Sequence, residues 1–245
     1  MDEKKLEKLI VYIDGFNLYN GLHDAAGNQL LWLDIVKLVK LLRPRSSIVQ
    51  VKYFTAIVLN EPEAQARQDR YLEALSSLYP GRLTIIKGEF KPKLRRCRAC
   101  GAEWTTYEEK QTDVNIAVHV VADVAARRAD SFMLITADTD IIPAVKMAWG
   151  LNAEANIFAQ FPPHRGSTAL RRMMPSSRKI TQARIREALL PAEVITHSGA
   201  RFRRPEKWDP EALSAAPQGE SGQAHECRLP TPLDVARKRR SNEAS

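Results

Sequence analysis

The chain has 245 residues, 44% of them hydrophobic, with 37 Lys and Arg against 29 Asp and Glu for a formal charge of +8. That apolar content excludes global disorder and supports one large α/β domain or two small ones. Three cysteines, Cys97, Cys100 and Cys227, are too few and odd in number for a disulfide framework, which fits a reducing, cytoplasmic setting.

In chain order, the charged opening from Met1 to Lys8 lacks the apolar stretch of a signal peptide, and no run is long enough to span a bilayer. Leu9 to Ile13 is continuously apolar and predicts a central parallel strand covered on both faces. Leu33 to Leu42 has helical spacing at Ile35, Val36, Val39 and Leu42, closed by Pro44. Ile48 to Val58, rich in β-branched and aromatic residues, reads as a second strand. Glu63 to Leu78 is a helix with Tyr71, Leu72, Leu75 and Leu78 on one stripe, stopped by Pro80-Gly81. A third strand, Leu83 to Phe90, leads into a basic loop carrying two cysteines. Asp113 to Arg127 is helical, Ser131 to Thr136 a strand, Ile142 to Trp149 a short helix, Glu154 to Phe161 a strand and Thr181 to Leu190 a last helix. Alternation of strand and helix defines an α/β fold with a mainly parallel sheet. From Gly199 the periodicity disappears, so the expected division is a folded unit over 1–198 and a flexible tail over 199–245.

Carboxylates stand where the patterned segments begin or end. Asp14 directly follows the first strand and Asp138 the fourth, at the carboxyl ends where ligands bind in open α/β sheets. Either alone reads as readily as a turn former or cap; together they point to a site. Asp113 heads the stripe Ile116, Ala117, Val120 and Val124, whereas Asn115, His119 and Asp123 fall on a polar face. A carboxylate aligned with a core stripe requires compensation by a cation or donors, although the helix dipole also favours an acid in the first turn. Asp140 fits either a helix N-cap ahead of Pro143 or a further cation contact. Asn17 fits either a cap or a group that orients phosphate or water. Hard oxygen donors of this kind suit Mg²⁺ or Mn²⁺.

These residues resemble a known family. Val11-Tyr12-Ile13-Asp14-Gly15-Phe16-Asn17-Leu18-Tyr19 is similar to the opening motif of NYN-domain proteins, in the LabA-like branch of the PIN-like nuclease superfamily. Glu108 to Val114 resembles the central motif and Ile135 to Pro143 the third, in the right order over about residues 8 to 190. The resemblance implies a PIN-like α/β/α three-layer sandwich and a divalent-metal-dependent ribonuclease. It implies a metal core of Asp14, Asp113 and Asp138, assisted by Asp140 and Asn17. Ala137 stands where the third motif often has Gly, which is tolerable if no positive φ is needed there. The family also includes regulators, so a non-catalytic RNA-binding protein is the competing reading. A third, a phosphohydrolase using Asp138 and Asp140 as a two-acid motif, leaves Asp14 and Asp113 without a role.

A basic chain holding an acidic cluster suits a polyanionic partner, and RNA is the expected one. Lys87, Lys91, Lys93, Arg95, Arg96 and Arg98 form a basic run followed by Trp104 and Tyr107, which reads as a single-strand platform or as a solvated loop. Lys110 reads as a phosphate contact or a solvated lysine. Thr112 caps the following helix while facing the site. Arg165, Arg171, Arg172, Arg178 and Lys179 form a second basic zone, and Arg237 to Arg240 a terminal basic arm. Cys97 and Cys100 have zinc-knuckle spacing without a second cysteine pair. A zinc there needs His225 and Cys227 or a second chain; otherwise they are free thiols. Oligomeric state is left open, including a homo-oligomer.

Overall fold

A computed structural model describes residues 6–59, 61–96 and 101–210. The first strand, β1 (Glu7–Asp14), is central, and from Leu9 onward every residue is buried. It passes into α1 (Gly15–Ala26), then α2 (Ile35–Leu42), β2 (Ser46–Ala56), α3 (Pro62–Leu78) and β3 (Leu83–Arg96). The chain then returns along β4 (Glu103–Lys110), enters α4 (Thr112–Ala125), and continues through β5 (Ser131–Ile135), α5 (Ile142–Leu151) and β6 (Asn156–Phe161). Short elements complete it: α6 (Thr168–Met173), β7 (Arg178–Lys179), α7 (Gln182–Glu187), β8 (Glu193–Ile195) and β9 (Arg201–Arg203).

The main sheet has the order β4-β3-β2-β1-β5-β6-β7. Every pairing in it is parallel except β3 with β4. Alternation along β1 divides the core in two. Leu9, Val11 and Ile13 face α1, α2, α3 and α7, and Ile10 and Tyr12 face α4, α5 and α6. This is the three-layer α/β/α sandwich expected, with six parallel strands at its centre.

Two expectations change. The basic stretch after Phe90 is not a loop. It extends β3 and pairs antiparallel with β4, from Glu89 opposite Lys110 to Arg96 opposite Glu103. Along it Lys93, Arg95 and Trp104 are half-buried while Leu94, Arg96 and Thr105 are exposed; charged residues on the more covered face concealed the strand. The fold also continues past Gly199. β9 pairs with β8, Phe202 is buried, and Trp208 packs against Trp32 and Tyr71. The boundary expected at 198 therefore falls no earlier than Trp208. Two aromatic side chains, Phe202 and Trp208, anchor this segment without leaving a periodic pattern. Residues 211–245, with His225, Cys227 and Arg237–Arg240, lie outside the described residues, as do Cys97 and Cys100. No described helix is long and apolar enough to cross a membrane.

Candidate metal centre

The two halves of the sheet run outward from β1, one through β2 and β3 and the other through β5 to β7. This places a topological switch point between β1 and β5, where the crevice at the carboxyl ends of the strands opens. Ile13 is in register with Ile135, so the residues that follow these strands meet at that crevice.

Asp14 is buried there. Its Oδ1 accepts the backbone N–H of Asn17 at 2.9 Å, which caps α1, and its Oδ2 accepts the Thr136 hydroxyl at 2.9 Å. The Thr136 Oγ1 in turn accepts the Asp138 backbone N–H at 3.1 Å. Asn17, also buried, accepts the Ala137 backbone N–H on its Oδ1 at 3.0 Å. Asn17 thus ties the third motif to α1, a positioning role. Asp138 caps the single 3-10 turn Thr139–Ile141 by accepting the Asp140 N–H at 3.1 Å. The cap belongs to Asp138, and Asp140 is exposed on the rim. Ala137 is not among the non-glycine residues with positive φ, so alanine fits where the motif often has glycine.

Asp113 enters from the first turn of α4. The buried stripe of that helix is Thr112, Ile116, Val120, Asp123 and Val124, so Thr112 heads it and Asp113 stands one residue off, open to solvent. Gln111 holds a left-handed φ of 78° at the entry to the helix, a conformation uncommon for a side-chain-bearing residue. Carboxylate oxygens of Asp14, Asp113 and Asp138 lie within 4.8 Å of one another. Among the described residues this is the one group of three side chains able to share a metal ion. With Thr136, Asp140, Ile116 and Ile141 they line a cleft of about 10 Å³, roughly the space one water or small ion occupies. The donor set is all oxygen, which suits hard divalent cations such as Mg²⁺ or Mn²⁺.

Asp123, expected on a polar face, is buried on the other side of α4. It accepts from the Tyr12 hydroxyl at 2.7 Å, from Lys52 and from Arg128 at 3.1 Å. The Lys52 ammonium also lies 3.2 Å from Nδ1 of His119. A lysine between Val51 and Tyr53 in an apolar strand was the available signal, because such a cation needs a buried acid. Thr136 was also missed as a site residue, although it lies inside the third motif.

The predicted nucleic-acid residues separate along the hairpin. Lys110 is at its base, three residues before Asp113. Arg96 is seven residue pairs away, about 23 Å at the usual strand rise. Lys93, Arg95 and Trp104 belong to the outer part of that ribbon. Lys91 is on β3, and its side chain, like that of Tyr107, lies outside the described residues. Among the described residues, none of these ribbon residues lines the acidic cleft.

A parallel α/β/α sandwich with three carboxylates at its switch point defines a PIN-like, nuclease-like class of protein. The chain belongs to the NYN domain family, whose profile matches residues 8–178. It is 31% identical to 6-hydroxy-3-succinoylpyridine 3-monooxygenase HspA of Pseudomonas putida over 56% of this chain, and it spans about half (54%) of that relative's length. A crystal structure of a Vibrio parahaemolyticus protein of unknown function aligns with a TM-score of 0.47 at 18% identity. That alignment covers 74% of this chain and 98% of that one.

Proposed function

We propose that the protein is a divalent-metal-dependent endoribonuclease. The observation that carries this reading is the convergence of Asp14, Asp113 and Asp138 within 4.8 Å at the switch point of the sheet. A basic chain of +8 has no use for three clustered acids in plain RNA binding, because they repel phosphate. They become useful when a cation stands between them and the backbone. The three carboxylates would hold Mg²⁺ or Mn²⁺. Such an ion supplies neutralisation of the phosphoryl oxygens and acidification of the attacking water. Thr136 and Asn17 keep the two strand-end acids fixed through the hydrogen bonds described above. Asp140, which lines the same cleft, would orient the attacking water. Lys110 contributes positive charge beside Asp113, and Lys93, Arg95, Arg96 and Trp104 on the ribbon engage the strand away from the scissile bond. The cysteine content supports a cytoplasmic location, and Cys97 and Cys100 are assigned as thiols.

The test is cleavage of end-labelled single-stranded RNA with Mg²⁺ or Mn²⁺, with EDTA as control, in wild type and Asp113→Asn. Internal cuts that EDTA abolishes and that fall about 100-fold or more in the variant are expected. Wild-type rates in Asp113→Asn would overturn the mechanism, and tight RNA binding without any cutting would move the assignment to a regulatory RNA-binding protein.

A second reading follows from the Pseudomonas putida relative, whose name describes oxygenation of a substituted pyridine. A monooxygenase places one atom of dioxygen on its substrate and reduces the other to water with two electrons and two protons from a donor. Dioxygen uptake that depends on a hydroxylated pyridine, with no RNA cleavage, would favour it.

A further inference from the structure

A cavity of about 270 Å³ opens between α1 and α3, on the other side of Gly15 from the acidic crevice. We infer that this cavity binds a small planar aromatic carboxylate, with the ring against Tyr53, Tyr71 and Trp208 and the carboxylate on Arg67. The inference does not rest on the nuclease reading, since the acidic cleft and this cavity have different linings.

The volume is just below the roughly 300–1,000 Å³ usual for sites that enclose small molecules. Its walls are mainly aromatic and aliphatic. Tyr71 and Trp208 meet edge to face with ring centroids 5.9 Å apart, and Tyr19 stacks on His23 at 5.9 Å at another part of the wall. Such rings favour a flat guest that can stack or present its edge. Gly15 makes the arrangement possible. A Cβ there would come within 2.5 Å of the Phe54 carbonyl and 3.0 Å of the Tyr53 ring, so only glycine lets Tyr53 fill the wall between Asp14 and the cavity.

The polar groups of the lining decide what the guest carries. Several are already committed to the fold. The Tyr71 hydroxyl donates to the Leu33 carbonyl at 2.7 Å. Gln68 accepts the Val58 N–H at 2.8 Å and donates to the Ala56 carbonyl at 2.9 Å. Arg67 is different. Its side chain is only 19% exposed, and its ion pair is a 3.7 Å contact to Glu63, whose own side chain is 93% exposed. No hydrogen bond among the described residues engages its guanidinium. A largely buried guanidinium with its donor fork unengaged favours a planar anion that can accept two parallel bonds. Lys207 adds a second cation to the lining, against the single acid Glu61. Gln68 and the Tyr71 hydroxyl, which could read the hydrogen-bonding edge of a nucleotide base, are already bonded within the fold, and the excess of cations over acids in the lining favours an anion. Lys207 and Trp208 also lie beyond residues 8–178 of the family profile, so this wall is built by the segment that extends the fold.

The experiment uses the full chain and 6-hydroxynicotinate and 4-hydroxybenzoate as probes. Binding is followed by calorimetry and by quenching of tryptophan fluorescence. The neutral amide of each acid, UMP and AMP serve as comparisons. The expected result is saturable binding of an acid, at least tenfold tighter than its amide. Arg67→Met should remove that preference at least tenfold while leaving the melting temperature near wild type, and Arg67→Lys should restore part of it. Ala64→Phe, which fills the cavity from α3, should block binding. Asp138→Asn should bind as wild type does, so that a failed nuclease assignment and a failed cavity assignment give different results. Absence of binding at millimolar acid, equal affinity for acid and amide, full binding in Ala64→Phe, or tighter binding of UMP or AMP would each overturn the proposal.

Discussion

Asp138→Asn separates a metal centre from an ordinary cluster of surface acids. Asparagine retains the cap on the Asp140 N–H, since Asn and Asp are equally good caps, so the main change is loss of one charge. At the 4.8 Å upper limit of separation in this group, two unit charges repel by about 0.9 kcal/mol in water-like surroundings and about 3.5 kcal/mol at an effective dielectric of 20. Asp113 is exposed and Asp138 half-buried, so salt and solvent hold the interaction near the lower figure. Removing two such pairs stabilises the metal-free protein by about 1–2 kcal/mol, or about 2–8 °C in Tm for a domain of this size.

Metal reverses the order. A cation at 100 times its Kd adds about 2.7 kcal/mol to the wild type, and far less to a variant lacking one of three ligands. Thermal melts with EDTA and then with increasing Mn²⁺ should therefore cross: the variant melts higher without metal, the wild type higher with it. RNA cleavage should be lost in the same variant. If Asp138→Asn melts no higher than wild type in EDTA and keeps the full Mn²⁺ shift, the three carboxylates do not share an ion and the reasoning fails.

The remaining predictions concern the fold that holds this centre. Lys52→Met leaves Asp123 charged and buried, with the pair's side chains only 5% and 1% exposed. It should cost about 3–5 kcal/mol by urea denaturation, most of it recovered in Lys52→Met with Asp123→Leu; a double variant no more stable than the single one refutes the pairing argument. The His119 pKa is lowered from its ordinary 6.5 by burial and then by the Lys52 charge. The neutral ring is therefore favoured in the fold. Its contribution is complete above about pH 6.5 and is lost as pH falls through the lower folded value. Between pH 7.5 and 5.5 the Tm of wild type should fall more than that of His119→Gln, and equal slopes would count against this. Trp208→Ala should destabilise by about 3–5 kcal/mol, measured by chemical denaturation. A change under 1 kcal/mol would mean the segment after Gly199 is not part of the core.

Much of this architecture is legible in the chain because its periods are strong. The apolar run of β1 and the switch to helical spacing at α2, α3 and α4 require a covered parallel sheet, and acids directly after β1 and β5 have to emerge at its ligand-binding edge. What sequence periodicity cannot resolve is a one-residue choice of face. Thr112 and Asp113 differ by 100° around α4, and the pattern of Ile116, Val120 and Val124 admits either at the head of the stripe. The left-handed turn at Gln111 sets the helix so that the threonine is buried and the acid reaches the crevice from the rim. The same uncertainty of face hid Asp123. Its partner Lys52 is 71 positions away, and no local rule couples the two.

The contrast between these acids explains how one short helix serves both stability and chemistry. Asp123 has donors from Tyr12, Lys52 and Arg128, and this full internal coordination fixes α4 against the sheet. Fixing α4 fixes the position of Asp113, ten residues earlier on a rigid helix, relative to Asp14 and Asp138. A carboxylate brought to within 4.8 Å of two others resists that placement by its own repulsion unless the helix beneath it is held. The buried pair on the far turn of α4 supplies that restraint. Loosening it by Lys52→Met should therefore weaken Mn²⁺ binding as well as the fold, and a variant that unfolds more easily yet binds Mn²⁺ with unchanged affinity would break this link.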